Sequence, residues 1–510
     1  MSDEVDAEAP AADPTGDEPT GREREVLKAR RSSRERLGDD AFALNLEQAL
    51  GVTEPDPVSG IRNEFGTLGA DVMSDVRRTV AGRVVLKRDM GKLVFLVLRD
   101  RTGDLQLVAN QDTEPASLEL LGDVDLGDLI GATGPVGTTR RGELSVFIEH
   151  LAMLTKALRP LPEKWHGLKD PELQQRQRYL HLATDPEAGQ MVQARAETLR
   201  AIRGYLDERG YTEVETPVLQ AIAGGAMARP FVTHHRDLDI DLYLRISLEL
   251  YLKRLLVGGL ERVYEIGRNF RNEGVGWKYN PEFTMLELYQ AYADYETMMQ
   301  VSRDLVQAAA RAVRGSMQVS FRGQDIDLGG EWTRVTVLGS VSDAVGEEVT
   351  LERPDLATIA EGHEVPVDPA WSNGKIALEL FEKLVEPNLI QPTFVCDFPR
   401  EVSPLARPHR DDPRLTEHVD PVIGGMELGT GYSELTDPDE QRAKFLLQQE
   451  ARDAGEEETH PFDEDFLTAL EHGMPPAGGL GLGIDRLLML LTDATSIREV
   501  ILFPLHRPQD

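Results

Sequence analysis

The chain has 510 residues, of which 40% are hydrophobic and 28% charged, and its formal net charge is −34. This length suits two or three domains with hydrophobic cores. No apolar run approaches the roughly 18 residues that a membrane helix needs, and the acidic start lacks the basic and apolar segments of a signal or transit peptide. The composition excludes a helical membrane protein and predicts a globular, cytoplasmic one.

Charge dominates the first fifty or so residues. Residues 1–20 contain seven acids and no base, which predicts a disordered acidic leader. Residues 22–36 then contain seven bases against three acids, within a charged helical extension predicted over 21–60. This basic segment fits a phosphate backbone or a solvated helix with i,i+4 ion pairs about equally well. The overall acidity fits either a salty cytoplasm or colloidal solubility.

Short apolar or alternating runs follow, separated by turn signals. The runs lie at residues 80–86, 92–98, 105–109 and 144–148. Four or five strands so close together predict a small barrel, and the OB-fold is the natural candidate, since its sheet face binds oligonucleotides. We place this domain at residues 61–160. A linker follows at 161–187, because Pro160 and Pro162 exclude a continuous helix at its start.

The remaining residues, 188–510, are expected to form a second and larger domain. A helix is predicted from about 188 to 209 and ends at Gly210, a residue type that favours helix C-termini. Residues 211–217 read YTEVETP and predict a strand. The only cysteine, Cys396, lies in an apolar run and is predicted to be a buried strand residue. One cysteine can form neither an internal disulfide nor a thiolate zinc site.

Two arginine-containing segments give the strongest functional signal. The first is Phe270-Arg271-Asn272-Glu273 within YEIGRNFRNEGVGWKYNPEFTMLELYQAYADY at 264–295, and the second is GLGLGIDR at 479–486. A planar guanidinium can neutralise and orient a nucleotide phosphate. The glycines of the second segment do not form a dinucleotide fingerprint, because Arg486 stands where the third glycine would be. No Gly-Lys-Ser/Thr phosphate loop occurs in the chain.

These segments resemble motifs 2 and 3 of class II aminoacyl-tRNA synthetases, and residues 211–217 resemble motif 1. With GGMELGTGYSELTD at 424–437, the chain is similar to bacterial-type lysyl-tRNA synthetases from about residue 80 to residue 508. The resemblance implies an α+β protein, with an N-terminal OB-fold β-barrel that binds the anticodon and a class II catalytic domain built on an antiparallel sheet flanked by helices. It also implies ATP-dependent attachment of L-lysine to tRNA(Lys) through a lysyl-adenylate, with Mg²⁺ as cofactor and a homodimer as the assembly.

The resemblance assigns roles residue by residue. Arg271 and Arg486 would be catalytic, the first bridging the α-phosphate and the amino-acid carboxylate and the second facing the γ-phosphate. ATP contacts are implied for Arg271, Asn272, Glu273, Lys278, Tyr279, Phe283 and Arg486. Lysine contacts are implied for Gly225, Glu249, Arg271, Glu287, Tyr289, Thr430, Tyr432 and Glu434. The implied Mg²⁺ ligands are Asp420 and Glu427, and the implied anticodon readers are Phe95, Gln106 and Glu143.

Electrostatics favours lysine among the amino acids that related synthetases use. A buried ammonium needs paired carboxylates, whereas a pocket for aspartate would need arginine or lysine. In the resemblance, Glu249 and Gly225 address the α-amino group, and Tyr432 covers the methylenes. The ε-ammonium would meet Glu287, Tyr289 and Glu434.

Several positions depart from the commonest family pattern. Lys278-Tyr279 replaces Arg-His, Asp420 replaces Glu, and Thr430 replaces Asn. Two other functions stay open: a paralogue that lysylates a protein, such as the elongation factor P ligase, and a non-catalytic lysine or nucleotide sensor, for which Tyr279 and Thr430 leave room. The barrel argues against the first, because those relatives lack it, and the retained arginines and acids argue against the second. The class I signatures His-Ile-Gly-His and Lys-Met-Ser-Lys-Ser do not occur.

Without the resemblance, some of these residues would give little indication of a functional role. Phe95 and Phe283 alone would more often be core residues. His234 and His235 invite a metal site, but adjacent side chains project in different directions, which favours a structural role.

Overall fold

The computed structural model describes residues 21–162, 168–369, 371–453 and 459–508. The predicted leader, residues 1–20, lies outside the described residues. Among the described helices, none is both long and apolar enough to span a membrane. The chain divides into two compact units, the first made of Met1–Asp185 with Arg507–Asp510 and the second of Pro186–His506.

The first unit is a β-barrel with short helices around it. Its strands are β1 (Met73–Asp89), β2 (Val94–Asp100), β3 (Gly103–Ala109), β4 (Leu129–Thr138), β5 (Leu144–Phe147) and β6 (His150–Thr155). Its helices are α1 (Gly21–Leu37), α2 (Leu46–Leu50), α3 (Val58–Phe65), α4 (Pro115–Leu120), α5 (Pro171–Arg176) and α6 (Arg178–Thr184). The strands pair in the order β1, β2, β3, β5, β4, and β4 pairs back with β1, which closes the barrel.

Alternation of apolar residues builds the barrel core. Leu96 and Leu98 of β2 are fully buried and pair with Leu107 and Leu105 of β3. The four predicted runs coincide with β1, β2, β3 and β5, whereas β4 and β6 lie outside them. Strand β4 contains glycine and proline, which usually indicate turns. A Cβ added at Gly134 would lie 1.7 Å from the Phe147 carbonyl oxygen, so the close approach of β5 requires glycine there.

Part of the basic N-terminal segment has a structural role. Arg30 of α1 is buried, and its guanidinium donates hydrogen bonds to the carbonyls of Ala157 (3.0 Å), Arg159 (3.0 Å) and Leu126 (2.8 Å).

The predicted linker, 161–187, contains helices α5 and α6.

The second unit is larger and is built on one long sheet. Its strands are β7 (Thr212–Glu213), β8 (Leu219–Gln220), β9 (Val232–His235), β10 (Ile240–Leu244), β11 (Arg262–Phe270), β12 (Glu282–Ala291), β13 (Gln318–Phe321), β14 (Gln324–Asp327), β15 (Thr333–Thr336), β16 (Thr393–Pro399), β17 (Leu415–Ile423), β18 (Met426–Glu427), β19 (Gly429–Ser433) and β20 (Ala477–Gly483). Its helices are α7 (Ala188–Asp207), α8 (Glu249–Val257), α9 (Tyr295–Arg314), α10 (Val337–Val345), α11 (Leu356–Gly362), α12 (Asn373–Leu384), α13 (Pro438–Asp453), α14 (Glu464–Glu471), α15 (Ile484–Thr492) and α16 (Ile497–Val500).

The long sheet has the order β15, β16, β17, β19, β20, β12, β11, β7, with β18 paired to β17. Its pairs are antiparallel except β7–β11 and β15–β16, which are parallel. Leu286 and Leu288 of β12 and Leu480 and Leu482 of β20 are buried on one face, in a core shared with residues of α7, α9 and α15. Because side chains alternate along a strand, the residues between these leucines on β12 and β20 face the opposite side of the sheet.

Several predictions for this unit can be compared with the structure. The helix predicted over 188–209 is α7, and the strand predicted over 211–217 is the shorter β7. Cys396 is fully buried on β16, as predicted. His234 lies exposed on β9, and its Nδ1 is 2.9 Å from Oδ1 of Asp241 on the paired strand β10.

Candidate active site

A cavity of about 400 Å³ opens in the second unit, against the face of the long sheet that lies opposite its helical core. Fourteen of the predicted site residues line it: Gly225, Glu249, Arg271, Glu273, Lys278, Tyr279, Phe283, Glu287, Tyr289, Asp420, Glu427, Thr430, Tyr432 and Arg486. Asn272 and Glu434 are not among the lining residues. The backbone N–H of Asn272 donates to the Arg229 carbonyl at 2.7 Å.

Strand register builds the floor of the cavity. Two rows run across strands β19, β20 and β12, namely Thr430–Gly481–Glu287 and Tyr432–Gly479–Tyr289. The glycines are needed because the neighbouring side chains fill the space above them. A Cβ added at Gly479 would lie 1.9 Å from Oε1 of Glu434 and 2.5 Å from the Tyr289 ring. Larger residues at this position would therefore displace the carboxylate.

Glu287 is a buried carboxylate held by hydrogen bonds. Its Oε1 accepts from Ser247 Oγ (3.0 Å) and from the Leu248 backbone N–H (3.0 Å), and its Oε2 accepts from the Tyr289 hydroxyl (3.4 Å). Burial raises the pKa of Glu287 to about 7, although the Leu248 N–H opposes this shift. A cationic ligand nearby would stabilise the ionised form.

A pair of buried carboxylates, Glu249 and Glu434, lies beside Glu287. Lys253 of α8 is fully buried, and its Nζ lies 2.5 Å from Oε1 of Glu249 and 2.5 Å from Oε2 of Glu434. Burial raises the pKa of Glu434 to about 8 and also raises that of Glu249, while Lys253 opposes both shifts. Sequence reasoning missed Lys253, because a lysine four residues after a glutamate usually indicates an exposed helical ion pair.

The two predicted catalytic arginines flank the cavity. The Arg271 guanidinium lies 5.2 Å from the centre of the Phe283 ring, and burial lowers its pKa. It makes no ion pair within 4.0 Å with any residue that the structure describes. Arg486 donates to the Glu427 carbonyl (2.8 Å) and lies 5.3 Å from the centre of the Tyr279 ring. Both cations therefore border the same space, as an anionic ligand requires.

Lys278 has a partner that sequence reasoning missed. Its Nζ donates to Oε1 of Glu386 at 2.7 Å, and both side chains are largely buried. Burial alone would lower the pKa of Lys278, but Glu386 raises it.

The candidate metal ligands, Asp420 and Glu427, lie on β17 and β18. Carboxylate oxygens suit Mg²⁺, which commonly takes one or two of them together with phosphate oxygens. Burial raises the pKa of Glu427, and Arg486 opposes this shift. Within the described ranges, no group of three or more His, Cys, Asp or Glu side chains could hold a metal ion. The two residues thus fit a site that substrate phosphates complete.

His418 is another residue that sequence reasoning missed. Its Nε2 lies 2.8 Å from both Asp420 Oδ1 and Thr430 Oγ1, and its ring lies in edge contact with Tyr432, with centres 4.7 Å apart. Two of the predicted departures from the family pattern, Asp420 and Thr430, therefore meet at one imidazole.

The predicted anticodon readers lie on the barrel of the first unit. Phe95 and Gln106 belong to the outer face of β2 and β3, since Phe95 pairs with Val108 and Gln106 with Val97, whereas Leu96 and Leu107 face the core. Gln106 donates to Ser145 Oγ at 2.9 Å. Glu143 is exposed just before β5.

Comparison with known proteins agrees with this geometry. The model of the family described as "tRNA synthetases class II (D, K and N)" matches residues 170–507, and that of the "OB-fold nucleic acid binding domain" matches residues 79–154. The lysine–tRNA ligase of Moorella thermoacetica is 53% identical over 489 residues, which cover 92% of this chain and 99% of the relative. The chain belongs to the lysine–tRNA ligase family of class II tRNA synthetases.

Other relatives support the same assignment. The lysine–tRNA ligase of Pelotomaculum thermopropionicum is 52% identical over 84% of this chain and 86% of its own length. That of a Synechococcus strain is 49% identical over 95% of this chain and 99% of its own length. The predicted family, the OB-fold barrel and the class II synthetase fold are therefore confirmed.

Proposed function

We propose that this protein attaches L-lysine to tRNA(Lys) in an ATP-dependent reaction with a lysyl-adenylate intermediate. The observation that carries the proposal is the clustering of three buried carboxylates, Glu249, Glu287 and Glu434, beside the partly buried arginine Arg271. Buried carboxylates suit the two ammonium groups of lysine, and the arginine suits its carboxylate.

The first step joins two anions, so positioning and neutralisation carry the catalysis. A carboxylate oxygen of lysine attacks the α-phosphorus of ATP, the bond to the bridging oxygen of the β-phosphate breaks, and pyrophosphate leaves. Arg271 would hold the α-phosphate and the lysine carboxylate together, and Arg486 would neutralise the γ-phosphate. In the second step a hydroxyl of the terminal tRNA ribose attacks the lysyl carbonyl, and AMP leaves.

The same cavity offers contacts for the rest of ATP. Phe283 would present a ring for adenine, and Glu273, Lys278 and Tyr279 line the same cavity. A nucleotide contact of Asn272 stays a prediction, because Asn272 does not line the cavity. Asp420 and Glu427 would hold Mg²⁺, which when bound neutralises phosphate charge.

Lysine is proposed to bind over the two rows of residues that cross β19, β20 and β12, namely Thr430–Gly481–Glu287 and Tyr432–Gly479–Tyr289. Gly225 and Glu249 would contact the α-ammonium, and Tyr432 would cover the methylenes. A Cβ added at Gly225 would lie 2.9 Å from Ser247 Oγ and 3.1 Å from Glu249 Cβ, and its φ is +89°. Only glycine therefore leaves room for an ammonium group there. The contacts proposed for the ε-ammonium are Glu287, Tyr289 and Glu434, and the contact proposed for Thr430 is the substrate carboxylate.

We assign tRNA binding to the barrel, residues 61–160, and aminoacylation to residues 188–510. Phe95, Gln106 and Glu143 would read the anticodon bases by stacking and hydrogen bonding. We also propose a cytoplasmic homodimer. Exposed apolar residues after β7 support the dimer, because Val218, Leu219 and Ile222 are 41%, 48% and 37% exposed.

The test is amino-acid-dependent ATP/pyrophosphate exchange with all twenty amino acids, followed by lysine transfer to tRNA with the same preparation. Exchange with lysine alone, followed by transfer, would support the proposal. Exchange without transfer would indicate another acceptor, such as a protein. Absence of exchange, with lysine binding retained in calorimetry, would indicate a sensor. Arg271→Lys is the matched variant for the proposed role of Arg271. It keeps the positive charge but loses the planar guanidinium that would hold the α-phosphate and the lysine carboxylate together.

A further inference from the structure

Lys253 is a buried cation that the proposed mechanism does not use. It lies one helical turn after Glu249 on α8, its side chain has no exposed surface, and its ammonium lies between Glu249 and Glu434 at 2.5 Å from each. The ammonium also lies 6.0 Å from the centre of the Tyr289 ring. It does not line the cavity, but the three residues around it are all predicted lysine ligands.

Packing alone does not explain a lysine at this position. Leu250, Leu252 and Leu256 of α8 are buried, so a methionine of similar length would suit the surroundings. A buried ammonium is unfavourable unless carboxylates accompany it. Burial alone would lower the pKa of Lys253, but Glu249 and Glu434 outweigh this effect and raise it. The two carboxylates therefore stabilise the protonated form of Lys253.

Each carboxylate keeps one oxygen that Lys253 does not hold. The ion pairs use Oε1 of Glu249 and Oε2 of Glu434. Both oxygens of Glu434 are buried without a hydrogen-bond partner among the residues that the structure describes, and only Oε2 has an ion pair, the one with Lys253. Oε1 lies opposite Gly479, where a Cβ would be only 1.9 Å away. This oxygen is therefore unsatisfied and lies against Gly479, which lines the cavity.

The charges of the pocket match those of the substrate only when Lys253 is included. With all three carboxyl groups ionised, as bound ammonium groups favour, Glu249, Glu287 and Glu434 carry three negative charges, and the Lys253 ammonium offsets one of them. The two that remain equal the number of ammonium groups on lysine. Arg271 then faces the substrate carboxylate.

We propose that Lys253 is a positioning residue for the amino-acid pocket, which clamps one oxygen of Glu249 and one of Glu434 and reduces the pocket charge to that of a substrate with two ammonium groups. This inference rests on the lysine pocket proposed above. Glu434 is then a carboxylate shared between the ammonium of Lys253 and the ε-ammonium of the incoming lysine.

A double-mutant cycle tests the proposal. The variants are Lys253→Met, Glu434→Gln and the double variant, with Lys444→Met as the control. Lys444 is a second buried lysine of the same unit, but its Nζ donates to the Ala406 carbonyl at 2.9 Å instead of to a pocket carboxylate. The readouts are the KM for lysine, the KM for ATP and kcat in lysine-dependent exchange, together with the Tm of each variant.

We expect Lys253→Met to raise the KM for lysine by about 100-fold, because it leaves surplus buried charge, and to change the KM for ATP by less than about threefold. In the Glu434→Gln background the same substitution should raise the KM for lysine by about tenfold or less, since the double variant restores the pocket charge. Lys444→Met should lower Tm without changing the KM for lysine. If Lys253→Met does not fold, the double variant compared with Glu434→Gln carries the test, and a difference above tenfold contradicts the proposal.

Equal effects of Lys253→Met in the two backgrounds, or equal losses for lysine and ATP, would overturn the proposal and leave a structural role. Failure of the proposed function gives a different result, because the unmodified protein itself would then show no exchange, or exchange with another amino acid.

Discussion

The ammonium of Lys278 lies 2.7 Å from Oε1 of Glu386, and the two side chains are only 16% and 12% exposed. A cation proposed to bind ATP is therefore paired with a carboxylate of the chain itself. Glu386→Gln should lower the KM for ATP by about threefold to fivefold, because the nucleotide no longer competes with a carboxylate for Lys278.

The measurement is ATP/pyrophosphate exchange at saturating lysine. Glu379→Gln is the control, since Glu379 pairs with Lys375 at 2.7 Å and does not line the cavity. A higher KM for ATP in Glu386→Gln would instead mean that Glu386 orients Lys278 for the phosphates.

Lysine binding should depend on pH between 6 and 8. Burial raises the pKa of Glu287 to about 7 and that of Glu434 to about 8. Protonation removes the negative charge that an ammonium group needs, so affinity is lost as pH falls through these values and is retained above them. The KM for lysine should therefore rise by up to about tenfold per pH unit for each carboxyl group, below about pH 8 for Glu434 and below about pH 7 for Glu287.

Exchange kinetics from pH 6 to pH 9 measure this dependence, with the KM for ATP as the internal comparison. The groups that face these carboxylates are Lys253, Glu249, Arg271 and Tyr289. Glu287→Gln should remove the part of the dependence centred near pH 7. A flat KM for lysine across this range would show that the carboxylates stay ionised.

The sequence predicted the parts of the fold that follow local patterns. The strands with apolar alternation and the helix α7 are examples. Strand β4 could not be predicted, because its glycines and proline indicate turns locally, and their role is set by the approach of Phe147 from another strand. The closure of the barrel is thus a property of contacts between strands distant in the chain.

The candidate site also depends on contacts between residues distant in the chain. Motif resemblance identified residues that line the cavity, but not Lys253, Glu386 or His418. The role of each depends on a partner brought close by folding, such as Glu434 for Lys253, which is 181 positions away. The local sequences around Lys253, Glu386 and His418 do not distinguish them from ordinary residues of helices or strands. Charge pairing across the fold is therefore visible only in three dimensions.

Gly479 should be essential for lysine but not for folding of the barrel unit. A Cβ there would lie 1.9 Å from Glu434 Oε1 and 2.5 Å from the Tyr289 ring, so Gly479→Ala must displace the pocket carboxylate. We expect kcat/KM for lysine to fall by about 100-fold or more, since a misplaced buried carboxylate loses its ligand. The KM for ATP should change less than that for lysine.

Gly204→Ala is the control for this substitution, because a Cβ at that helical position meets no atom within 4 Å. Exchange kinetics and Tm are measured for both variants. Unchanged lysine kinetics in Gly479→Ala would contradict the position of Glu434 beneath the pocket.

Phe95 should affect tRNA and not adenylate formation. Phe95→Ala removes a ring from the outer face of the barrel without opening the core formed by Leu96 and Leu98. Loss of one stacked base corresponds to about 1–3 kcal/mol, so charging of tRNA should fall by about 10-fold to 100-fold at limiting tRNA. Leu118→Ala on α4, where Leu118 is 42% exposed, is the control. Equal losses in exchange and in charging would contradict the assignment of the two steps to different units.

His418 should control the Mg²⁺ requirement, because its Nε2 lies 2.8 Å from both Asp420 and Thr430. Its other nitrogen, Nδ1, lies 2.8 Å from Ser403 Oγ, and its ring stacks on Phe398 with centres 3.7 Å apart. The imidazole is therefore fixed on both sides and holds the carboxylate of Asp420 in one orientation.

His418→Ala should raise the Mg²⁺ concentration for half-maximal exchange by about tenfold, because partners that orient a metal ligand commonly contribute 10-fold to 100-fold to affinity. The control is His472→Ala, since His472 is exposed at the end of α14 and does not line the cavity. The Mg²⁺ titration is made at saturating ATP and lysine. A variant with reduced kcat but an unchanged Mg²⁺ midpoint would mean that His418 supports Thr430 and Tyr432 instead of Asp420. A joint rise in the Mg²⁺ midpoint and in the KM for lysine would mean that one imidazole couples the metal side of the cavity to its amino-acid side.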